Sequence, residues 1–349
     1  MGRPAARMAL PRSSEKPLSD VHDVALLDLD GVVYLGGSAV AGAPDALTEA
    51  RHRGMRLAFV TNNASRTPSA IAAQLKGLGV PADAAEVVTS AQAAARLLAE
   101  RLPAGAPVLV VGGMGLRIAV RERGLRPVST ALDRPAAVVQ GYGPGIDYSL
   151  LAEGELAVRA GAWFVASNAD LTLPTARGLQ PGNGSLVQVI ATATGEHPVV
   201  AGKPEPPLHA EAVERTGAKR PLVVGDRLDT DIEGAVRVGA DSLLVFTGVS
   251  QPADAVLAPA HRRPSYLAHD LSGLLEPQPE VSADGGGKFR CGGWTARLTD
   301  GTGGPDRLEI DGSGAAIDGL RALCAAAWSA GTVSADSVRS AVGSLPFGG

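Results

Sequence analysis

The run VALLDLDGVVY sets two aspartates, Asp28 and Asp30, one residue apart and follows them at once with Gly31. Side chains two apart on a strand point the same way, so a strand here would aim both carboxylates at one site. In open α/β sheets ligands gather at the carboxyl ends of the strands, where this pair would stand. Two carboxylates that close raise each other's pKa unless a cation lies between them. A hard, oxygen-seeking ion such as Mg2+ meets that need. A lone D-x-D is as readily a solvated turn. The apolar residues before it and Gly31 after it, which lets backbone approach a ligand closely, favour a site.

Three further segments end apolar runs in polar residues. RLAFVTNNASR ends in Thr61, Asn62 and Asn63, which offer a hydroxyl, amides and backbone N–H groups suited to phosphate oxygens. The alternative is a polar turn in which an asparagine caps a helix. VVAGKPEPP places Lys203 between a glycine and a proline, in a chain with only five lysines among 32 basic residues. A compact ammonium there would neutralise the charge of a transferring phosphoryl group, whereas a surface lysine would only solubilise. PLVVGDRLDTDIEGA ends in Gly225 and Asp226 and carries Asp229 and Asp231 at the start of a helix. Helix capping and the helix dipole explain Asp229. Asp226 stands at the strand tip, where it would complete a Mg2+ site.

The elements that must position these residues alternate along the chain. VALLDLD, RLAFVTN and EVVTS read as buried strands, and 44–55, 68–78 and 90–102 as helices. That rhythm predicts an α/β fold with a parallel sheet covered on both faces. A second α/β set follows with PVLVVGG, AAVVQGY and AWFVASN as strands. The first pattern then resumes with PLVVGD, a helix over 229–238 and DSLLVF. Periodicity alone leaves open whether the first and third stretches share a sheet. The EPQPEVSADGGG segment has linker composition, placed at 278–287; beyond it GWTARLTD and DRLEIDG predict a hairpin and 315–330 a helix. The residues before 20 read as a disordered tail, with Met1 or Met8 as the start.

Composition narrows the partners. With 45% hydrophobic residues the chain can bury a sizeable core, built from Ala, Val and Leu because aromatics make up 3%. A net charge of −4 and no basic run argue against nucleic acid or an anionic membrane as partner. No apolar stretch approaches the ~18–20 residues of a membrane span, so a cytoplasmic location is expected. Cys291 and Cys324 lack metal-ligand spacing and read as reduced, non-catalytic thiols.

Taken together, D-x-D-G, T-N-N, G-K-P and G-D-x-x-x-x-D resemble the four motifs of the haloacid dehalogenase-like hydrolases. The spellings DLDGVVY, FVTNN, GKP and GDRLDTDI are similar to the NagD-like phosphatase branch, over about 24–275. The resemblance implies a Mg2+-dependent phosphatase that cleaves small phosphate monoesters through an aspartyl-phosphate. Asp28 would attack phosphorus, and Asp30 would protonate the leaving oxygen and then activate water. Asp28, Asp226 and the backbone carbonyl of Asp30 would hold the metal, with Asp231 behind them. Thr61, Asn62, Asn63 and Lys203 would hold phosphoryl oxygens, assisted by N–H groups near Gly31.

The resemblance also implies a Rossmann-like core of 20–103 with 199–277, an inserted α/β cap of 104–198, and a small C-terminal ββα appendage over 288–349. In the cap, Asn168 and Asp170 match the family's N-x-D stretch, where they would meet substrate or fix the loop. The stretch 168–185 holds hydroxyls, amides and a carboxylate but no aromatic or histidine ring. It therefore suits a short polyol, with glycerol 3-phosphate expected first and phosphoglycolate or another sugar phosphate second. A homodimer is compatible with all of this. A dehalogenase leaves Asp30 and Asp226 unexplained, and a phosphotransferase has no discriminating feature. A non-catalytic module that binds a phosphorylated metabolite is the alternative of a different class. The appendage has an acyltransferase-like element order but no evident loop for a CoA pyrophosphate. A structural role, dispensable for the chemistry, is expected of it.

Overall fold

The computed structural model describes residues 10–175, 177–299, 305–330 and 332–347. The two proposed start positions and residues 1–9 of the expected tail lie outside these. Residues 10–19 are ordered, contrary to expectation: Arg12 N–H donates to Ser265 O at 2.8 Å, and Ser14 bridges to Gln278. These backbone bonds tie down a segment whose Pro/Ser-rich composition reads as disorder.

One compact unit takes in the segment up to Leu35, Val40–Arg56 and Arg220 onward. In it Tyr266–Ala268, Asp241–Val245, Pro221–Gly225 and Val24–Leu27 pair in that order, every pair parallel. A strand of the first α/β stretch thus lies beside three of the third. All of Val24–Leu27 is buried, which is why the strand reads as an unbroken apolar run. The helix expected over 229–238 opens as a π turn, Leu228–Ile232, before the α-helix Glu233–Val238. Such widened turns favour functional positions, and this one carries Asp231.

The second compact unit comprises Gly36–Ala39 and Leu57–Lys219, a division that differs from the domain boundaries expected above. Its five-stranded sheet orders Val199–Val200, Trp163–Ala166, Ala137–Gln140, Pro107–Val111 and Arg126–Val128, again all parallel. Arg56–Thr61, all but its first residue in this unit, pairs parallel with Val87–Thr89. A capping box starts the next helix, Ser90–Arg101. Thr89 Oγ1 accepts the Gln92 N–H at 3.3 Å, and Gln92 Oε1 accepts the Thr89 N–H at 3.0 Å. A hairpin, Thr172–Thr175 with Gly178–Pro181, follows the Asn168 loop.

The C-terminal region corrects two expectations. It is a four-stranded antiparallel sheet (Ser282–Gly285, Lys288–Cys291, Trp294–Thr299, Arg307–Gly312) with two helices, Ala316–Ser329 and Ala335–Gly343, not ββα. Its first strand lies inside the expected linker, hidden from the sequence reading because all four residues are exposed and show no apolar alternation. Nor does this region hang free. Phe289, Trp294, Leu320 and Trp328 share one buried cluster with Ile232, Leu244, Val256 and Leu267 of the parallel-sheet layer. Among the described residues, no helix is long and apolar enough to cross a membrane.

Candidate active site

In the first unit the parallel register sets Leu27 beside Val224, and Asp28 N–H donates to Val224 O at 2.8 Å. The two strands therefore end side by side, which delivers Asp28 and Asp226 to one place. Asp231 joins them from the π turn: carboxylate oxygens of Asp28, Asp226 and Asp231 all lie within 4.8 Å of one another. Asp226 and Asp231 are buried and Asp28 half-buried. Asp30, one pleat on, is exposed, and its carboxylate stands outside that group of three. The Tyr34 hydroxyl donates to Asp30 Oδ2 at 3.5 Å.

Two glycines make room for Asp226. A Cβ on Gly31 would lie 2.5 Å from Asp226 Oδ2, and one on Gly248 2.0 Å from it. Gly31 also has a φ of +87°, which only glycine adopts without strain. Val249 N–H donates to Asp226 Oδ2 at 2.7 Å, and Arg227 N–H to Asp231 Oδ2 at 3.2 Å. Sequence reasoning missed the Gly248–Val249 loop, although a glycine just after the apolar run DSLLVF was a signal for it. Asp229 lies in the first turn, where the helix-dipole reading put it, but it makes no capping bond and pairs with Arg227 at 2.9 Å on the surface.

Three carboxylates gathered this closely and largely out of water repel strongly unless a cation sits among them. An all-oxygen, triply negative donor set fits a hard divalent ion rather than a soft one. Mg2+ suits these residues on donor chemistry alone.

The second unit gathers the other expected residues. Thr61 is buried at its strand end; its Oγ1 accepts the Asn63 N–H at 3.1 Å, which leaves the hydroxyl proton to donate elsewhere. Asn63 Oδ1 accepts Ser65 N–H at 3.0 Å and Arg66 N–H at 3.2 Å, so this side chain closes its own turn. Lys203 is buried, and its Nζ donates to Val60 O at 3.2 Å. Burial, then the Lys203 charge, pushes the neighbouring His209 imidazole down to about 3. His209 is thus neutral at working pH and was not found by sequence. Asn168 Nδ2 donates to Asn62 O at 2.7 Å, and its Oδ1 accepts Asp170 N–H at 3.2 Å. Buried Asn183 donates to Asn168 O at 2.7 Å. These two asparagines fix the loop that carries Asp170. The thiols of Cys291 and Cys324 are buried and free; burial pushes Cys291 up to about 12 and Cys324 upward too, so both stay protonated.

Comparison with known proteins identifies the family. Residues 25–126 match the family model described as haloacid dehalogenase-like hydrolase, and 200–274 one described as HAD-hydrolase-like. Residues 291–343 match a GCN5-related N-acetyltransferase-like domain, the acyltransferase-like order noted in the sequence. The chain is 48% identical over 325 residues to a D-glycerol 3-phosphate phosphatase of Mycobacterium tuberculosis, covering 90% of this chain and 88% of that one. It is 38% identical to an acid sugar phosphatase of Staphylococcus aureus over 71% of this chain and 94% of the other. Among solved structures, a glycerol phosphate phosphatase of M. tuberculosis in complex with magnesium superposes with a TM-score of 0.84 at 44% identity. That match covers 95% of this chain and 99% of that one.

Proposed function

The chain belongs to the haloacid dehalogenase-like hydrolases and is a phosphatase, and from that premise we propose that it is a Mg2+-dependent glycerol 3-phosphate phosphatase working through an aspartyl-phosphate. The carboxylate trio Asp28, Asp226 and Asp231, within 4.8 Å, is the observation that carries the chemistry. Likeness along nearly the whole chain to a D-glycerol 3-phosphate phosphatase supports the substrate.

Asp28 and Asp226 would hold the ion, with the Asp30 carbonyl and with Asp231 in support. A Mg2+ ion held there would supply charge neutralisation for the phosphoryl oxygens. Asp28 attacks phosphorus; Asp30, outside the trio and exposed, protonates the leaving alkoxide and then takes a proton from the water that hydrolyses the acyl phosphate. The Thr61 hydroxyl, the N–H groups near Gly31 and the Lys203 ammonium neutralise phosphoryl charge. Keeping His209 neutral avoids a second cation competing beside Lys203.

Substrate choice rests on the cap stretch 168–185, which lacks any aromatic ring. Asp170 accepts an amide N–H from Asn62. A carboxylate there accepts a glycerol hydroxyl and repels the carboxylate of phosphoglycolate. The functional division we propose is a core of 20–103 with 199–277 and a cap of 104–198. A cytoplasmic location and a homodimer, the latter open to light scattering, belong to the same proposal. The test compares kcat/KM for glycerol 3-phosphate, phosphoglycolate and pyridoxal phosphate, with Mg2+ and in excess chelator. Glycerol 3-phosphate is expected to lead and activity to vanish with the metal. A competitor ahead by tenfold, ~1.4 kcal/mol in transition-state terms, would overturn the substrate.

A further inference from the structure

Asn62 stands where a phosphate ligand is expected, yet its side chain is engaged elsewhere. Its Oδ1 accepts the Lys203 backbone N–H at 2.9 Å, and its Nδ2 donates to the Lys203 carbonyl at 3.1 Å. The remaining Nδ2 proton reaches the Asp170 carboxylate, 3.1 Å to Oδ2 and 3.4 Å to Oδ1. A primary amide has two N–H donors, and both are directed here. The approach is tight: a Cβ on Gly202 would lie 2.6 Å from Asn62 Oδ1. The backbone carbonyl of Asn62 is held as well, by Ser90 Oγ and Asn168 Nδ2, each at 2.7 Å.

We propose that Asn62 is a positioning residue: its amide clasps both backbone polar groups of Lys203, setting where the ammonium points, and binds the cap carboxylate Asp170 to that clasp. This rests on the phosphatase reading. The Lys203 N–H and C=O belong to successive peptide units, and the carboxamide's acceptor and donor meet one each, so one side chain fixes Lys203 by two bonds. The third bond makes the placement of Lys203 depend on Asp170, the residue proposed to meet the leaving group. The cap then influences chemistry even on a substrate with no hydroxyl for Asp170 to accept.

The test uses 4-nitrophenyl phosphate, whose leaving group offers no such hydroxyl, with the full-length protein and folding checked by thermal melts. Asn62→Asp places a carboxylate against Asp170, and kcat is expected to fall on the order of 10- to 100-fold, more than KM changes. The charge swap, Asn62→Asp with Asp170→Asn, restores the carboxylate–amide pair with its ends exchanged but leaves the Lys203 carbonyl without its donor, so it is expected to recover part of that kcat and not all of it. A direct phosphate ligand predicts the opposite, since a carboxylate at 62 repels phosphate whatever stands at 170. A swap no more active than Asn62→Asp, or an Asn62→Asp enzyme as active as wild type, overturns the proposal. Asp170→Ala alone removes the acceptor, provides a second test and is expected to lower kcat several-fold on this substrate; an unchanged kcat overturns the clasp. Wild-type enzyme that released no phosphate from any monoester would instead refute the phosphatase reading.

Discussion

At the residue scale, the site separates side chains that do chemistry from those that hold them. His209, buried near Lys203, has a measurable signature of its surroundings. Burial first, and Lys203 second, lower its pKa from 6.5 to about 3, so the folded protein keeps it neutral while the unfolded chain binds a proton below pH 6.5. Its contribution to stability is complete above pH 6.5 and is lost as pH falls toward 3, at up to ~1.4 kcal/mol per unit. His209→Gln is therefore expected to show a shallower fall in urea stability between pH 6.5 and 4 than wild type. Equal slopes would show that His209 does not titrate this way. The chemical residues were legible because aspartates at the ends of apolar runs leave a local trace. The clasp of Asn62 was not legible, since its partner Lys203 lies 141 residues away and is met through backbone atoms.

At the element scale, strand ends do the positioning, and the loops behind them set how closely ligands can approach. The loop after Asp241–Val245 presses Gly248 against Asp226 and donates the Val249 N–H to it. Gly248→Ala would drive a methyl group into that carboxylate. The Mg2+ concentration for half-maximal activity is expected to rise on the order of 10- to 100-fold, as for other groups that orient metal ligands. An unchanged Mg2+ titration would mean that the loop is not part of the metal site. The buried parallel strands could be read from sequence since both faces are apolar. The strand Ser282–Gly285 could not, because exposure of every residue leaves only linker-like composition.

For the whole molecule, the C-terminal region changes from an appendage into part of the first unit's core. Buried Arg321 donates to Leu267 O at 2.6 Å and Gln278 Oε1 at 2.7 Å, and Trp328 Nε1 to Ala255 O at 3.1 Å. Arg263 lies 5.3 Å from the centroid of the Trp328 ring. Truncation after residue 280 would expose the shared cluster, so loss of soluble protein is expected in place of an intact, shorter enzyme. Trp328→Ala separates the two roles: stability should drop by about 3–5 kcal/mol, with kcat of the folded protein unchanged. A Tm equal to wild type would show that the tail is not packed as described.

The central claim is a covalent phosphoryl-enzyme on Asp28. Acyl phosphates survive acid, so enzyme mixed with Mg2+ and radiolabelled glycerol 3-phosphate can be quenched within a turnover and digested. Label is expected on the peptide containing Asp28, and Asn at that position should abolish both label and turnover, beyond the ~10²–10⁴-fold of acid–base loss alone. Sustained turnover by Asp28→Asn, or label on a different residue, would contradict the account.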